Sequence, residues 1–85
     1  MTELQQLSHD SFYNMQNYSQ ITIDFIQEAE DIIEIEWDNE EDKGGELGAL
    51  SYKISTVLEV LNPALKTDKE ALLKLIEIIE DNLND

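Results

Sequence analysis

The residues of this chain best placed to do chemistry are eleven carboxylates between positions 24 and 46, set against one basic residue, Lys43. The acids are Asp24, Glu28, Glu30, Asp31, Glu34, Glu36, Asp38, Glu40, Glu41, Asp42 and Glu46. Because neighbouring like charges repel, such a run raises the free energy of a compact fold. The apolar residues within it, among them Phe25, Ile26 and Trp37, indicate a folded segment and not a disordered tail. A dense acidic face of this kind suits a strongly basic surface.

Residues 38–42 also carry oxygen ligands at the spacing that opens an EF-hand calcium loop. Counted from Asp38, Glu40 and Asp42 occupy ligand positions 3 and 5. The loop needs glycine at position 6 and glutamate at position 12, where this chain has Lys43 and Ala49. The pattern therefore predicts weak divalent binding to clustered acids and no dedicated metal site.

Residues that could support catalysis are scarce. His9 is the only histidine, beside Asp10 on the polar side of the predicted first helix, and no cysteine is present to complete a triad or a metal set. Paired carboxylates hydrolyse glycosides only across a substrate cleft, and 85 residues are too few to build one. We therefore expect a protein that is not an enzyme, with no catalytic residue and no cofactor.

A five-residue segment, Leu47–Ser51, resembles the site of acyl carrier proteins, which are also small acidic four-helix bundles. Their prosthetic group sits on the serine of a Gly-x-Asp-Ser-Leu turn that opens a helix. Gly48 and Ser51 match this motif, whereas Leu50 replaces its aspartate and Tyr52 its leucine. An acyl-carrier-like protein is accordingly a minor alternative. In the simpler interpretation, Ser51 is a small residue within the third helix.

Length and charge limit the possible functions. The 85 residues predict one domain, 1–85, and the net charge is −15, with five lysines and no arginine. Residues 1–46 hold thirteen acids and one lysine, and residues 47–85 hold seven acids and four lysines. Repulsion disfavours direct binding to nucleic acid or to an anionic membrane. The chain lacks a secretory signal and a bilayer-length apolar run, so we expect a soluble cytoplasmic protein.

Apolar periodicity predicts helices over residues 3–17, 20–41, 47–62 and 68–83. Thr2 and Gln5 form a capping box for the first helix, and Thr67 and Glu70 form one for the last. Gly44-Gly45 predicts a turn that closes the acidic helix. The expected fold is an all-α, up-and-down bundle of three to four helices. A minority alternative is an α+β fold with a short hairpin in 20–38, where β-forming residues alternate with acids.

The acidic helix predicts a surface that resembles a polyanion. At 1.5 Å per residue, a helix over positions 24–46 would span about 34 Å, with one acid per ~3 Å. One strand of B-form DNA carries a phosphate every ~3.4 Å. The residues expected to bind the partner are Asp24, Glu28, Asp31, Glu34, Asp38, Glu40, Glu41 and Asp42. Tyr13 and Tyr52 fall off the main apolar stripes and are weaker candidates for partner anchors.

The expected function is that of a non-enzymatic inhibitor that docks its acidic helix into a basic groove of a nucleic-acid-binding protein, such as a nuclease. In character the chain resembles the DNA-mimic proteins with which phages and mobile elements block restriction or CRISPR nucleases. It is similarly comparable to the acidic immunity proteins and antitoxins of nuclease toxins. The alternative, from a different class, is a regulatory or structural bundle that self-associates, as a homodimer, through the apolar stripe of the third or fourth helix.

Overall fold

In the computed structural model, which describes residues 2–84, the chain forms four α-helices and a 3₁₀ turn. The helices are α1 (Glu3–Tyr13), α2 (Gln20–Glu34), α3 (Glu40–Val60) and α4 (Lys66–Leu83), and the 3₁₀ turn is Met15–Asn17. No strand occurs among residues 2–84. The predicted all-α bundle is therefore confirmed, and residues 20–38 form helix and linker where the minority alternative placed a hairpin.

The four helices run up and down around one apolar core. Helices α2 and α4 pack against each other, and both α1 and α3 pack against this pair. The core combines residues from all four helices, with Leu4 from α1 at one edge. Its most deeply buried side chains are Ile26, Leu47, Leu50, Ile54, Leu72, Leu75 and Ile79. Burial of these apolar side chains is the main favourable term in the stability of the bundle.

Helix α1 begins with the predicted capping box. The backbone N–H of Gln5 donates to the Thr2 hydroxyl (3.1 Å), and the Gln5 side chain accepts from the Thr2 N–H (3.0 Å). The helix ends at Tyr13 and not at residue 17, because the chain tightens into the 3₁₀ turn after Asn14. The Asp10 carbonyl accepts from both the backbone N–H and the side-chain amide of Asn14 (3.0 Å each), which fixes this end of the helix.

The predicted acidic helix over 20–41 is wrong in its second half: α2 ends at Glu34, and α3 begins at Glu40. Helix dipoles give the physical reason. A continued α2 would carry Asp38 and the acids after it at its negative C-terminal end. A new helix places the same acids in its first turn, at the positive end. Asn39 caps that turn by accepting a hydrogen bond from the Glu41 N–H (2.8 Å).

Trp37 lies in the linker between α2 and α3, and not on the apolar stripe of a helix. Its indole N–H donates to the carbonyl of Ile32 (2.7 Å), one of the last carbonyls of α2 that have no partner within the helix. The ring is half-buried and packs against the core. Trp37 therefore helps to end α2. The periodicity of apolar residues in the sequence does not reveal this role.

The predicted turn at Gly44-Gly45 is also wrong, because both glycines lie within the second turn of α3. No glycine in residues 2–84 has a positive φ, so none of them adopts the left-handed conformation that favours glycine. A Cβ added at Gly45 or at Gly48 would meet no atom within 4 Å. Glycine at these positions lowers the helix propensity without being required by the backbone.

We expect Gly45→Ala to raise the free energy of unfolding by about 0.5–1 kcal/mol, because alanine loses less backbone entropy in a helix. Urea denaturation measures this change. The converse substitution Ala49→Gly, at an exposed position of the same helix, serves as the control and should destabilise by a similar amount. Destabilisation by Gly45→Ala would indicate a left-handed turn and would contradict the continuous helix.

Helix α4 begins at Lys66, two residues before the predicted start, and Thr67 makes no capping bond because the N-cap position is Leu65. Asp68 instead points across the bundle to the start of α2. It accepts hydrogen bonds from the backbone N–H of Ser19 (2.8 Å) and from the Ser19 hydroxyl (3.0 Å), and it is almost fully buried. Asp68 therefore joins the N-termini of two helices.

Next to this contact, the pKa of the Tyr18 phenol is raised, first by burial and then by the negative charges of Asp10, Asp68 and Glu70. The folded state thus holds the phenolic proton more tightly than the unfolded chain does. Its contribution to stability is complete below about pH 10 and is lost as the pH rises through the folded-state pKa.

We therefore expect Tyr18→Phe to reduce the loss of stability on going from about pH 9 to 11, because the variant has no phenol to ionise. Urea midpoints measured across this range test the prediction, with pH 7 as the reference at which both proteins carry an uncharged ring. Parallel curves for the two proteins would contradict it.

Candidate functional site

The acidic run folds back on itself at one end of the bundle. The start of α1, the end of α2 and the end of α4 line one groove there, and the start of α3 meets the end of α4 in a second. We call this end, with the linker 35–39, the acidic end. Its carboxylates are Glu3, Glu34, Glu36, Asp38, Glu40, Glu41, Asp42, Glu80 and Asp81. The opposite end, where α2 and α4 begin, holds fewer acids and includes Lys66 and Lys69.

Ion pairs neutralise little of this charge. Lys74 contacts Glu3 (3.1 Å) and Glu77 (3.8 Å), and the hydrogen bond to Glu3 raises the pKa of the lysine. Lys53 lies 3.9 Å from Glu28. Among the residues described, no other lysine lies within 4.0 Å of a carboxylate. Because these pairs are exposed, each contributes little to stability, and most of the negative charge faces solvent without a partner.

The structure brings together five of the eight residues predicted to bind a partner. Glu34, at the last turn of α2, lies at the acidic end with Asp38 of the linker and with the first-turn acids of α3, Glu40, Glu41 and Asp42. The other three follow the outward face of α2 away from that end, at the helical spacing of Asp24, Glu28 and Asp31. Of the eight, Glu28 is half-buried and the other seven are exposed.

The predicted likeness to a straight DNA strand does not hold geometrically. A continuous charged rod requires one helix over the whole run, whereas the chain reverses direction between Glu34 and Glu40. The carboxylates therefore form a compact cap on the bundle, with a short stripe that extends along α2. This shape fits a basic cleft or pocket better than a long open groove.

Four carboxylates of the acidic end, Glu3, Glu36, Glu80 and Asp81, were not predicted as binding residues. Glu36 lies in the linker, within the acidic run, whereas the other three come from α1 and α4 and lie outside the run from 24 to 46. Only the up-and-down topology brings the last turn of α4 beside the linker between α2 and α3. Local charge density along the sequence does not reveal Glu3, Glu80 and Asp81, whereas the predicted antiparallel packing of the helices would place them at this end.

An apolar groove of about 530 Å³ opens beside the acidic end. Leu4, Ile33 and Ile78 form its floor, and Glu3, Glu34 and Asp81 lie along its rim. Helices α2 and α4 end here while α1 and α3 begin here, so the partial charges of the helix ends largely offset one another and the carboxylates supply the negative potential. The groove can thus receive an apolar side chain that is flanked by cationic ones.

The remaining sequence candidates lie elsewhere. Tyr13 and Tyr52 are both largely exposed, on α1 and α3 respectively. Ser51 is half-buried in the interior of α3. The acyl-carrier resemblance implies instead a serine at a turn that opens a helix. Within residues 2–84, no three side chains of the metal-binding types lie close enough together to hold an ion.

None of the helices formed by residues 2–84 has the length and apolar character needed to cross a membrane.

Comparison with known proteins adds no relative: the chain matches no protein-family model, no curated protein and no solved structure.

Proposed function

We propose that this chain is a non-enzymatic inhibitor that binds a basic, nucleic-acid-binding surface of a target protein and blocks its access to nucleic acid. One observation carries the proposal. Of the eleven carboxylate residues between Asp24 and Glu46, nine are exposed and two, Glu28 and Glu30, are half-buried, and Glu28 is the one among them with a lysine within 4.0 Å in the described chain. Charge that stabilised the fold would be paired internally, whereas this charge is free to meet an external partner.

Binding would proceed through the acidic end. Lysine and arginine side chains of the target would pair with the exposed carboxylates of the linker and of the first turn of α3. Long-range attraction speeds such an encounter, and salt screens it over about 8–10 Å at moderate ionic strength. Nucleic acid and this protein would then compete for the same cationic groups. DNA-mimic proteins and nuclease immunity proteins are inhibitors of this kind.

Self-association through α3 receives less support. The stripe that would form the contact includes Leu47, Leu50 and Ile54, and all three are buried in the core of a single chain. Val57 is half-buried and packs against the same core. A homodimer formed through this stripe would need these side chains to contact α2 and α4 and a second copy at once.

The proposal is tested by capture and competition. Immobilised protein is exposed to a cell lysate at low salt and eluted with a salt gradient, and the affinity of each captured protein for DNA or RNA is then measured. We expect a basic partner that elutes at moderate salt and loses nucleic-acid binding as this protein is added. Undiminished nucleic-acid binding at a saturating concentration of this protein would overturn the proposal.

A further inference from the structure

A third groove runs between α1 and α2 and continues from the acidic end. Its α1 side carries Gln5, Ser8, His9, Phe12 and Tyr13, which share one helical face, and its α2 side carries Glu30 and Glu34. The groove has a volume of about 400 Å³. It therefore sets three aromatic rings opposite two carboxylates one helical turn apart.

The aromatic side of this groove is exposed. Phe12 and Tyr13 are 66% and 69% accessible, which is unusual for two large side chains next to each other in a small domain. Their rings meet edge to face with centroids 5.3 Å apart, and His9 lies against Tyr13 at 4.4 Å. These contacts order the Tyr13 ring before binding, and the high exposure of Phe12 and Tyr13 leaves part of each ring open to a planar group.

The carboxylate side has an unsatisfied oxygen. Glu30 Oε1 is buried and accepts no hydrogen bond from the described part of the chain, although the groove beside it is open. A buried polar atom without a partner raises the free energy of the folded state. Because this oxygen has almost no accessible surface, a cationic donor in the groove would bond to it only after the Glu30 side chain turns toward the groove, and the donor would meet the charge of Glu34 there as well.

We propose that the α1–α2 groove binds an arginine side chain of the basic target. The inference rests on the proposed function, because it names a specific anchor for the same partner. A guanidinium group is planar and donates in a fork, so it can stack on the ring of Tyr13 or Phe12 while it donates to Glu30. A lysine ammonium is a compact, strongly hydrated point charge that makes no such stack. The groove therefore adds a preference for arginine to a surface that otherwise attracts any cation.

Two peptides of equal charge, ten arginines and ten lysines, test the proposal by titration against the folded protein. We expect the wild type to bind the arginine peptide more tightly, and Tyr13→Ala to reduce that preference about twofold to fivefold, the range of a cation–π contact at an exposed ring. Glu30→Gln should reduce it as well, while keeping the shape of the side chain. Tyr52→Ala is the matched control, since Tyr52 is 75% exposed on α3 and outside the groove, and it should leave the preference unchanged.

Circular dichroism of each variant verifies that the bundle is intact, as expected because Tyr13 and Tyr52 are exposed and Glu30→Gln keeps the size of a half-buried side chain. An arginine preference that Tyr13→Ala and Glu30→Gln leave intact, or that Tyr52→Ala reduces equally, overturns the arginine anchor. In either case salt-sensitive binding of both peptides would still support the acidic end as a cation-binding surface. If neither peptide binds at low salt, the proposed function fails together with the anchor.

Discussion

Replacing Asp68 with alanine is expected to lower the free energy of unfolding by about 3 kcal/mol, the largest stability effect of any single polar residue in the bundle. Asp68 is only 1% exposed and accepts two hydrogen bonds from Ser19, one from its backbone N–H and one from its hydroxyl. Hydrogen bonds to an ionised group are stronger than those between neutral groups. The substitution would also leave the half-buried Ser19 donors without the Asp68 acceptor.

Helix electrostatics add to the effect of this contact. Ser19 is the N-cap residue of α2, so the Asp68 carboxylate lies at the positive end of that helix. The Ser19 hydroxyl donates to Asp68, which leaves the Thr22 hydroxyl to donate to Ser19 at 3.1 Å. Thr22 and Asp68 are almost fully buried and Ser19 is half-buried, so this small network is partly shielded from water. Loss of the carboxylate would therefore disturb the packing of α2 on α4 and not merely one surface bond.

Thermal and urea denaturation measure this prediction, and for a domain of this size the expected change corresponds to a fall in Tm of roughly 10–25 °C. Ser19→Ala should cost less, about 1 kcal/mol, because the backbone N–H can still donate to Asp68. The matched control is Glu70→Ala, an exposed acid on the same turn of α4, which should change stability by no more than about 0.5 kcal/mol. Equal stability of the Asp68 and Glu70 variants would contradict the structural role of this contact.

The class of fold could be predicted from sequence because the apolar spacing in α3 and α4 is regular. Leu47, Leu50 and Ile54 recur at helical intervals, and all three are buried. The boundary between α2 and α3 could not be predicted in this way. Residues 35–39 contain no glycine or proline, whereas Gly44-Gly45 gives the standard signal for a break. The chain turns where Trp37 and Asn39 satisfy the free groups of the helix ends, and these are contacts that residue spacing does not encode.

The acidic residues of the candidate site could be predicted from the sequence, but their arrangement in space could not. Local charge density identified Glu34, Asp38 and Glu41 directly, because acids at these positions are visible in the sequence itself. Their arrangement depends on the reversal of the chain after Glu34, which turns a predicted 34 Å rod into a compact end. Asp68 was missed for a related reason. Its position in an apparent capping box suggested a local role, while its partner Ser19 lies 49 residues away in the sequence.

Reversing two charges at the acidic end should have the largest effect on binding. We expect Asp38→Lys combined with Glu41→Lys to weaken binding to the basic partner at low salt about 100-fold, because each lysine replaces an attraction by a repulsion and each replacement costs about 1.4 kcal/mol. Both residues are exposed. The fold should persist, with a loss of about 0.3–1 kcal/mol because Glu41 lies in the first turn of α3.

The matched control reverses the same number of charges at the other end of the bundle. Glu59→Lys combined with Glu70→Lys also changes two exposed acids, and each double variant moves the net charge from −15 to −11. Dissociation constants measured at several salt concentrations, against the captured partner and against the ten-lysine peptide, separate the two cases. The control should bind within a few-fold of the wild type and keep its salt dependence, whereas the acidic-end variant should lose most of it. Because the two variants carry equal net charge, equal losses would mean that total charge and not its placement governs binding, and the acidic end would then have no special role.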